Sequence, residues 1–408
     1  MNEVLVSVVV PTRNRADRLV SCLRTLVDCK CRNFEIVIVD NCSEDSTSSV
    51  AEQYIADERV RYIHFDRVGS ICDQFKRSLQ NARGEWLMII GDDDGLFSKR
   101  FDQLLKFLKY FNGQLGAVAA ISWPQAIYRW PDYPGEERNF LRVSDSILEP
   151  RIGFFKSTNF FGNFDDGNLK KIYNSPQIYH SMVRTKLATD LLSRHPETLF
   201  VLSPDISFAL HLAYSKVRFA RLGFPISIAG YGPKSTGVAM TGVGSNESRD
   251  AFLRENERDL EIMTDAFDDG GRFKYRPIPV NEISGTFAIA TKISKDIGRG
   301  VPAIESYVAS EVGNVAKLSP EKRRESKAFL EALCRHHRIQ INLDSFDSCE
   351  PSRSLGVPFL SVSKKEGATF FSCLLPMSPE ICQNIRDAVL ILDTMTWFEN
   401  STKNWRVL

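Results

Sequence analysis

Along the first 125 positions, short β-branched and apolar runs alternate with stretches whose apolar residues recur every three to four places. The runs at 4–10, 34–39, 60–65, 86–90 and 115–121 read as buried strands. Between the first two, Leu19, Val20, Leu23, Leu26 and Val27 trace one helical stripe. Val50, Ala51, Tyr54 and Ile55 do the same after Asp45, followed by Ile71, Phe75 and Leu79, and then by Phe101, Leu104, Leu105 and Leu108. Four successive strand–helix units predict an α/β fold: a Rossmann-like, mostly parallel sheet flanked by helices.

The rhythm breaks between 123 and 179, where 12 of the chain's 43 aromatic residues crowd together, as expected of an insertion beside a site. Regular patterning returns at 177–183, 188–192 and 205–213, and 219–222 and 226–229 resemble closing strands. From 247 to 276, 15 of 30 residues are charged while Leu253, Leu260 and Phe267 fall seven apart, which predicts a surface helix with one narrow buried seam. Beyond 300 come a helix over 320–337, a hairpin over 359–374 turning near Glu366-Gly367, and a last helix. That helix is expected to be capped by Ser378, with Pro379 in its first turn and Ile381, Ile385, Val389, Leu392 and Met395 on its apolar face. The expected organisation is a main domain over 1–245 with halves 1–122 and 123–245, connecting helices over 246–300, and a smaller helical or α+β C-terminal region over 301–408 of unknown role.

A length of 408 residues allows two or three structural units at roughly 150 residues each. The net charge of +1 provides no global field to hold a polyanion, so nucleic acid is not expected as the main partner. Nine scattered cysteines contain no C-x-x-C pair, which fits a reducing cytoplasm better than a disulfide scaffold or a zinc clasp. No apolar run approaches the roughly 20 residues that span a bilayer, so any membrane contact is expected to be peripheral.

Open parallel sheets bind ligands at the carboxyl ends of their strands. Those ends carry Pro11-Thr12-Arg13-Asn14, then Asp40-Asn41, then Gly91-Asp92-Asp93-Asp94-Gly95. Three adjacent carboxylates repel one another and are best tolerated where a cation or solvent screens them. The alternatives are a solvated acidic turn and an Mg²⁺ or Mn²⁺ site completed by substrate phosphates. Neither G-x-G-x-x-G nor G-x-x-x-x-G-K-[ST] follows a strand, which argues against dinucleotide enzymes and P-loop hydrolases.

Val-Ser-Val-Val-Val-Pro-Thr-Arg-Asn at 6–14, the Phe34 to Thr47 stretch, and Gly84 to Leu96 together resemble a family-two glycosyltransferase of the GT-A fold, over about residues 4–240. The resemblance implies inverting sugar transfer from a nucleoside-diphosphate donor, a UDP-sugar in first expectation, to a hydroxyl on a growing glycan or lipid-linked acceptor. It implies that Pro11, Thr12 and Asn14, with Arg13 in the same turn, line the nucleoside pocket and that Asp40 hydrogen-bonds the base. Asp92, Asp93 and Asp94 stand for the metal-binding acidic motif, with Asp94 the first choice of ligand, although Gly91 occupies the place where many relatives carry an acid. Asp40 has the alternative of simply capping the turn after its strand.

Inverting transfer also needs a general base for the acceptor hydroxyl. Relatives supply it about a hundred residues later at the start of a helix, where this chain has Ser203-Pro204-Asp205; Asp205 is the candidate base, or else an ordinary helix cap. His180 and Trp123 are candidates to face the acceptor sugar, with core packing as the alternative for both, as for Trp130, Phe160 and Phe161. Lys234, in Lys-Ser-Thr-Gly after the closing strand, is placed to touch the donor diphosphate or belongs to a plain surface loop. Two other functions keep the same fold: a non-catalytic scaffold that binds a partner, or assembles copies of the chain, through 301–408, and a sugar-nucleotide pyrophosphorylase. The second lacks its glycine- and arginine-rich phosphate loop after Val10.

Overall fold

The computed structural model describes residues 4–115, 118–135, 138–143, 151–157, 175–201, 203–240, 246–257, 259, 281–297, 305, 308–309, 320–340, 359–365, 368–376, 382–395 and 406–407. Strands β1 (Val6–Thr12), β2 (Phe34–Asp40), β3 (Val60–His64) and β4 (Trp86–Ile89) run parallel in the order β4-β1-β2-β3, as the apolar runs predict. Two further sets of strands appear. β5 (Gly95–Leu96), β7 (Ala126–Arg129), β8 (Phe140–Val143), β12 (Ser227–Tyr231), β13 (Phe359–Lys365) and β14 (Ala368–Pro376) make a separate six-stranded sheet. β6 (Val118–Ser122), β9 (Arg151–Lys156), β10 (Ser181–Arg184), β11 (Arg218–Leu222) and β15 (Arg406–Val407) extend the first sheet to nine strands. β6 and β11 share the direction of β4, while β10 lies antiparallel between β4 and β6, so the sheet is mostly parallel.

Both faces of that sheet are buried, and its sequence shows why. Val6, Val8, Val10, Ile36, Ile38, Trp86 and Met88 pack against one layer, formed by α1 (Ala16–Val27) and α4 (Ser98–Leu115). Their neighbours Val9, Val37, Val39, Leu87 and Ile89 point the other way, onto α3 (Ile71–Asn81), α5 (Thr185–Arg194), α6 (Pro204–Tyr214), α9 (Asn281–Asp296) and α10 (Pro320–His337). Successive residues of a strand face opposite sides, so only continuous apolar runs satisfy both layers. The remaining helices are α2 (Thr47–Glu52), α7 (Thr236–Met240), α8 (Asn246–Glu255) and α11 (Ile385–Met395).

Several expected boundaries move. The helix after Asp45 stops at Glu52, and Ile55 is 48% exposed, so its stripe is shorter than the spacing suggests. The strand expected from 115 begins at Val118 because α4 runs through Leu115. The stretch from 123 to 179, expected as an irregular insertion, contributes β7, β8 and β9 to the two sheets, while Phe160 and Phe161 lie outside the described residues. Of the charged helix expected over 247–276, α8 covers the first part, and 261–280 lie outside the described residues.

The last helix begins at Ile385, later than expected. Asn384 caps it, its Oδ1 accepting the backbone N–H groups of Arg386 at 3.0 Å and Asp387 at 3.2 Å; Ser378 and Pro379 lie outside the described residues. Its buried Ile385, Ala388 and Val389 join Phe97, Tyr128 and Trp130 in a third apolar cluster. Arg386 reaches Asp28 at the end of α1 at 3.2 Å, so the helix packs on the main body of the chain. Of the described residues beyond 300, β14 pairs with β8 and β15 with β9, so strands from this part of the chain join both sheets.

Candidate active site

The register sets Thr12 beside Asp40 and Val9 beside Ile89, so the chain leaves β1, β2 and β4 at one rim. Past β4 it must cross to the second sheet, where Gly95 and Leu96 pair with β12, and the crossing is the acidic turn. Asp92, Asp93 and Asp94 are therefore buried at 3%, 5% and 1% exposure, at the junction of two sheets and out of bulk solvent. Gly230 on β12 passes so close that a Cβ there would overlap the Asp93 carbonyl, a contact only glycine permits.

Each carboxylate has different partners. Asp92 accepts the Thr12 hydroxyl at 2.7 Å on Oδ2 and the Arg15 guanidinium at 2.9 Å on Oδ1. Asp93 shares Arg15 at 3.3 Å and takes the Ser235 hydroxyl, both on Oδ2. Asp94 accepts Tyr179 Oη–H and the Gly91 N–H at 2.5 Å each on Oδ2, and the Gly230 N–H at 2.8 Å on Oδ1. His180 Nε2 stands 3.1 Å from the same Oδ2.

The charges follow from these partners. Burial pushes the Asp93 carboxyl up to about 7, with Asp94 and Asp92 adding to the rise against the pull of Arg15. Asp92 is raised for the same leading reason, burial, with Arg15 and Thr12 opposing. Asp94 goes the other way: burial works against its charge, but His180, Tyr179 and the Gly230 N–H outweigh it and hold the carboxyl below its ordinary range. Burial alone would lower the Arg15 guanidinium; Asp92 and Asp93 outweigh that and hold it above its ordinary value.

Behind Asp94 runs a hydrogen-bond chain. Trp123 Nε1–H donates to Ser227 Oγ at 2.9 Å, which frees the Ser227 hydroxyl proton for His180 Nδ1 at 2.8 Å. With Nδ1 accepting, the Nε2 proton is assigned to the side facing Asp94. His180 takes up the left-handed backbone region at φ 50°, a conformation that non-glycine residues hold only when their surroundings fix it. His180 and Trp123 are 3% and 4% exposed, and they form the wall behind the acidic turn. Trp130 is likewise buried, donating from Nε1 to the Asp93 carbonyl at 3.2 Å under the Arg18 guanidinium.

The other expected residues spread around the rim. Asp40 is buried and accepts Tyr62 Oη–H at 2.7 Å and the Ser43 N–H at 2.9 Å, with His64 at 3.3 Å, a turn-closing set of partners. Asn14, at φ 52°, accepts the Glu44 N–H at 2.8 Å and receives Lys234 Nζ at 3.4 Å on its carbonyl, so the β1 loop, the β2 loop and the loop after β12 meet there. Arg13 turns away to Glu255 of α8 at 2.7 Å, and Pro11 is half-buried on β1. Asp205 is half-buried in the first turn of α6; burial raises its carboxyl, opposed by the Ile206 N–H and by the nearby His180. Ser235 belongs to the Lys-Ser-Thr-Gly loop expected near the diphosphate, whereas Arg15, Tyr179, Ser227 and Gly230 complete the site without having been singled out by spacing. Arg15 lies three places beyond Thr12 in the same strand-end segment, and that adjacency was the available signal.

Acidic, hydroxyl and cationic groups thus converge at the carboxyl rim of a mostly parallel sheet, the edge at which open α/β folds bind ligands. Residues 7–166 match the family described as glycosyl transferase family 2. The chain is 35% identical over 92 residues, 22% of its length and 36% of the relative's, to a PGL/p-HBAD biosynthesis glycosyltransferase of Mycobacterium bovis. It is 27% identical over 105 residues, 26% of its length and 42% of the relative's, to the putative teichuronic acid biosynthesis glycosyltransferase TuaG of Bacillus subtilis. It thus spans well under half of these relatives. Among solved structures, S. aureus TarS 1–349 aligns over 90% of this chain and 95% of its own at 15% identity and a TM-score of 0.42. The mannosyltransferase PcManGT of Pyrobaculum calidifontis, in complex with GDP-Man and Mn²⁺, aligns over 82% and 86% at 17% identity and a TM-score of 0.39. Among the described residues, no helix is long and apolar enough to cross a membrane.

Proposed function

We propose that the protein is a metal-dependent inverting glycosyltransferase that moves a sugar from a nucleoside-diphosphate donor, a UDP-sugar first among those to test, to a hydroxyl of a glycan or glycolipid. The observation that carries the reading is the meeting of Thr12, Arg15, Asp92, Asp93 and Ser235 at the shared rim of β1 and β4, inside the segment that matches the family.

The donor set suits a hard divalent ion. All candidate ligands are carboxylate oxygens, and Asp92, Asp93 and Asp94 lie buried together, with the Arg15 guanidinium against the first two. Among the described residues no group of three or more His, Cys, Asp or Glu side chains is arranged to hold a metal ion, so the reading relies on two carboxylates, with water and phosphate completing the shell. Asp92 and Asp93 would hold an Mg²⁺ or Mn²⁺ ion; bound there, it would supply positive charge to the departing diphosphate. Asp94, the first expectation for a ligand, is assigned instead to shaping the turn, because backbone N–H groups of Gly91 and Gly230 hold one oxygen each, donors that cannot swing aside as a side chain can.

Within this reading Lys234, over the β1 loop, and Arg15 steer the diphosphate by charge-assisted hydrogen bonds. Pro11, Thr12, Asn14 and Asp40 hold the nucleoside side of the rim in shape, Asp40 through Tyr62 and Ser43. Asp205 removes the acceptor proton. Its carboxyl is raised by burial toward the pH range where a base works best, and it neighbours His180 and hence the acidic turn. Attack opposite the leaving group then inverts the anomeric centre.

The test is direct. Purified protein with Mn²⁺ should show thermal protection by a nucleotide sugar and release nucleoside diphosphate with an acceptor, while Asp205→Asn keeps the protection and loses the turnover. Protection by no nucleotide sugar, or unaltered turnover in Asp205→Asn, would overturn the reading.

A further inference from the structure

Arg15 occupies the space between the two carboxylates assigned to the ion. Its Nη1 lies 2.9 Å from Asp92 Oδ1 and 3.3 Å from Asp93 Oδ2, bridging the two carboxylates assigned to the ion. The other oxygen of Asp92 is already taken by Thr12 at 2.7 Å. A divalent ion bound to both acids would meet a guanidinium within a few ångströms, and a guanidinium does not shed its proton to make room. The charge has to move instead. Arg15 is the residue just before α1; its carbonyl receives the Arg18 and Leu19 N–H groups at 3.0 Å each, so its backbone is fixed while its long side chain can swing. Its side chain is 15% exposed, and Lys234 reaches the carbonyl of Asn14, the residue before it. Guanidinium pairs with phosphate as readily as with carboxylate, in the same two-pronged geometry.

We propose that Arg15 is the resident counter-cation of the Asp92–Asp93 pair in the nucleotide-free protein, and that it transfers to the donor diphosphate as the divalent ion takes its place. This rests on the metal-dependent reading above and adds to it an order of binding: ion and nucleotide enter cooperatively, and the ion alone binds poorly. Arg15 thereby protects the acidic pair from capturing stray divalent ions and couples the ion's arrival to that of the donor. Linkage makes the effect reciprocal, so each of the two ligands strengthens the other.

The experiment is a Mn²⁺ titration followed by the electron paramagnetic resonance of free Mn²⁺, with and without UDP, GDP serving as the second probe. Wild type, Arg15→Gln and Arg15→Lys are compared, with thermal melts to establish that each is folded and the Mn²⁺–nucleotide blank subtracted. Wild type should bind Mn²⁺ about tenfold or more tightly with nucleotide than without, a coupling of ordinary size. Arg15→Gln should bind Mn²⁺ alone more tightly than wild type and lose most of that nucleotide dependence, while Arg15→Lys, which keeps a charge at the pair, should stay closer to wild type. Equal Mn²⁺ affinity of nucleotide-free wild type and Arg15→Gln, with ordinary binding in the presence of nucleotide, overturns the role of Arg15 and leaves the metal reading standing. No Mn²⁺ binding in any arm overturns both.

Discussion

Replacing Asp93 by asparagine should make the protein more stable at alkaline pH, although the residue belongs to the candidate site. Asp93 is buried beside Asp92 and Asp94 with one guanidinium between them, and its carboxyl is pushed up to about 7. In the unfolded chain an aspartate titrates near 3.9. The sign follows from proton counts: between these values the folded state holds more protons than the unfolded one, so this group's contribution to stability is complete below about 4 and is lost as pH rises through about 7. At 1.36 kcal/mol per pKa unit the charged form is disfavoured by about 4 kcal/mol, of which about 2–3 kcal/mol is lost between pH 5 and pH 8. Asparagine carries no such burden. It forfeits the Arg15 contact at every pH, so the informative quantity is the pH dependence of the difference between variant and wild type, and coupling with Asp92 and Asp94 spreads that dependence over a wider range. Metal-free urea unfolding of both proteins at pH 5, 6, 7 and 8 measures it. The reasoning predicts that Asp93→Asn gains on wild type as pH rises; a difference that stays constant, or that shrinks toward pH 8, refutes it.

Asp205→Asn should lower kcat by a hundredfold or more, the usual scale for a lost general base, and wild-type kcat/KM should fall on the acid side as the raised Asp205 carboxyl protonates; a flat acid limb contradicts the assignment. Tyr179→Phe removes a hydrogen bond to a buried charged carboxylate, so a loss of about 1.5–3 kcal/mol is expected in chemical denaturation, together with a rise in the Asp94 carboxyl visible by NMR titration. Gly230→Ala drives a methyl group into the Asp93 carbonyl and should cost more than 3 kcal/mol or abolish soluble expression, whereas Gly237→Ala, with open space around it, should be tolerated on steric grounds.

The parallel sheet was legible because its strands are buried on both faces, so 86–90 reads as a continuous apolar run and 34–39 as one broken only by Glu35. The shared rim followed from topology, since residues after β1, β2 and β4 must emerge together. The second sheet was not legible. β7 and β8 are four residues each, flanked by aromatics, and pair with strands about a hundred and more than two hundred positions away, a relation that local periodicity does not encode. For the same reason the spacing of the acidic triplet said nothing of how its members differ. Asp94 is separated from Asp92 by partners on β12 and at the entrance to β10, Gly230, Tyr179 and His180, which only the fold brings to it. His180 and Trp123 were legible as residues of interest, but their place in the wall behind Asp94 depends on Ser227, which carries no motif of its own.

The most direct measurement is a crystal structure of the protein soaked with a nucleoside diphosphate and Mn²⁺. The account predicts that the diphosphate lies across the carboxyl ends of β1 and β4, with the ion on Asp92 and Asp93 and the Arg15 guanidinium turned onto phosphate. A nucleotide bound elsewhere, with Arg15 still bridging the two acids, would contradict it.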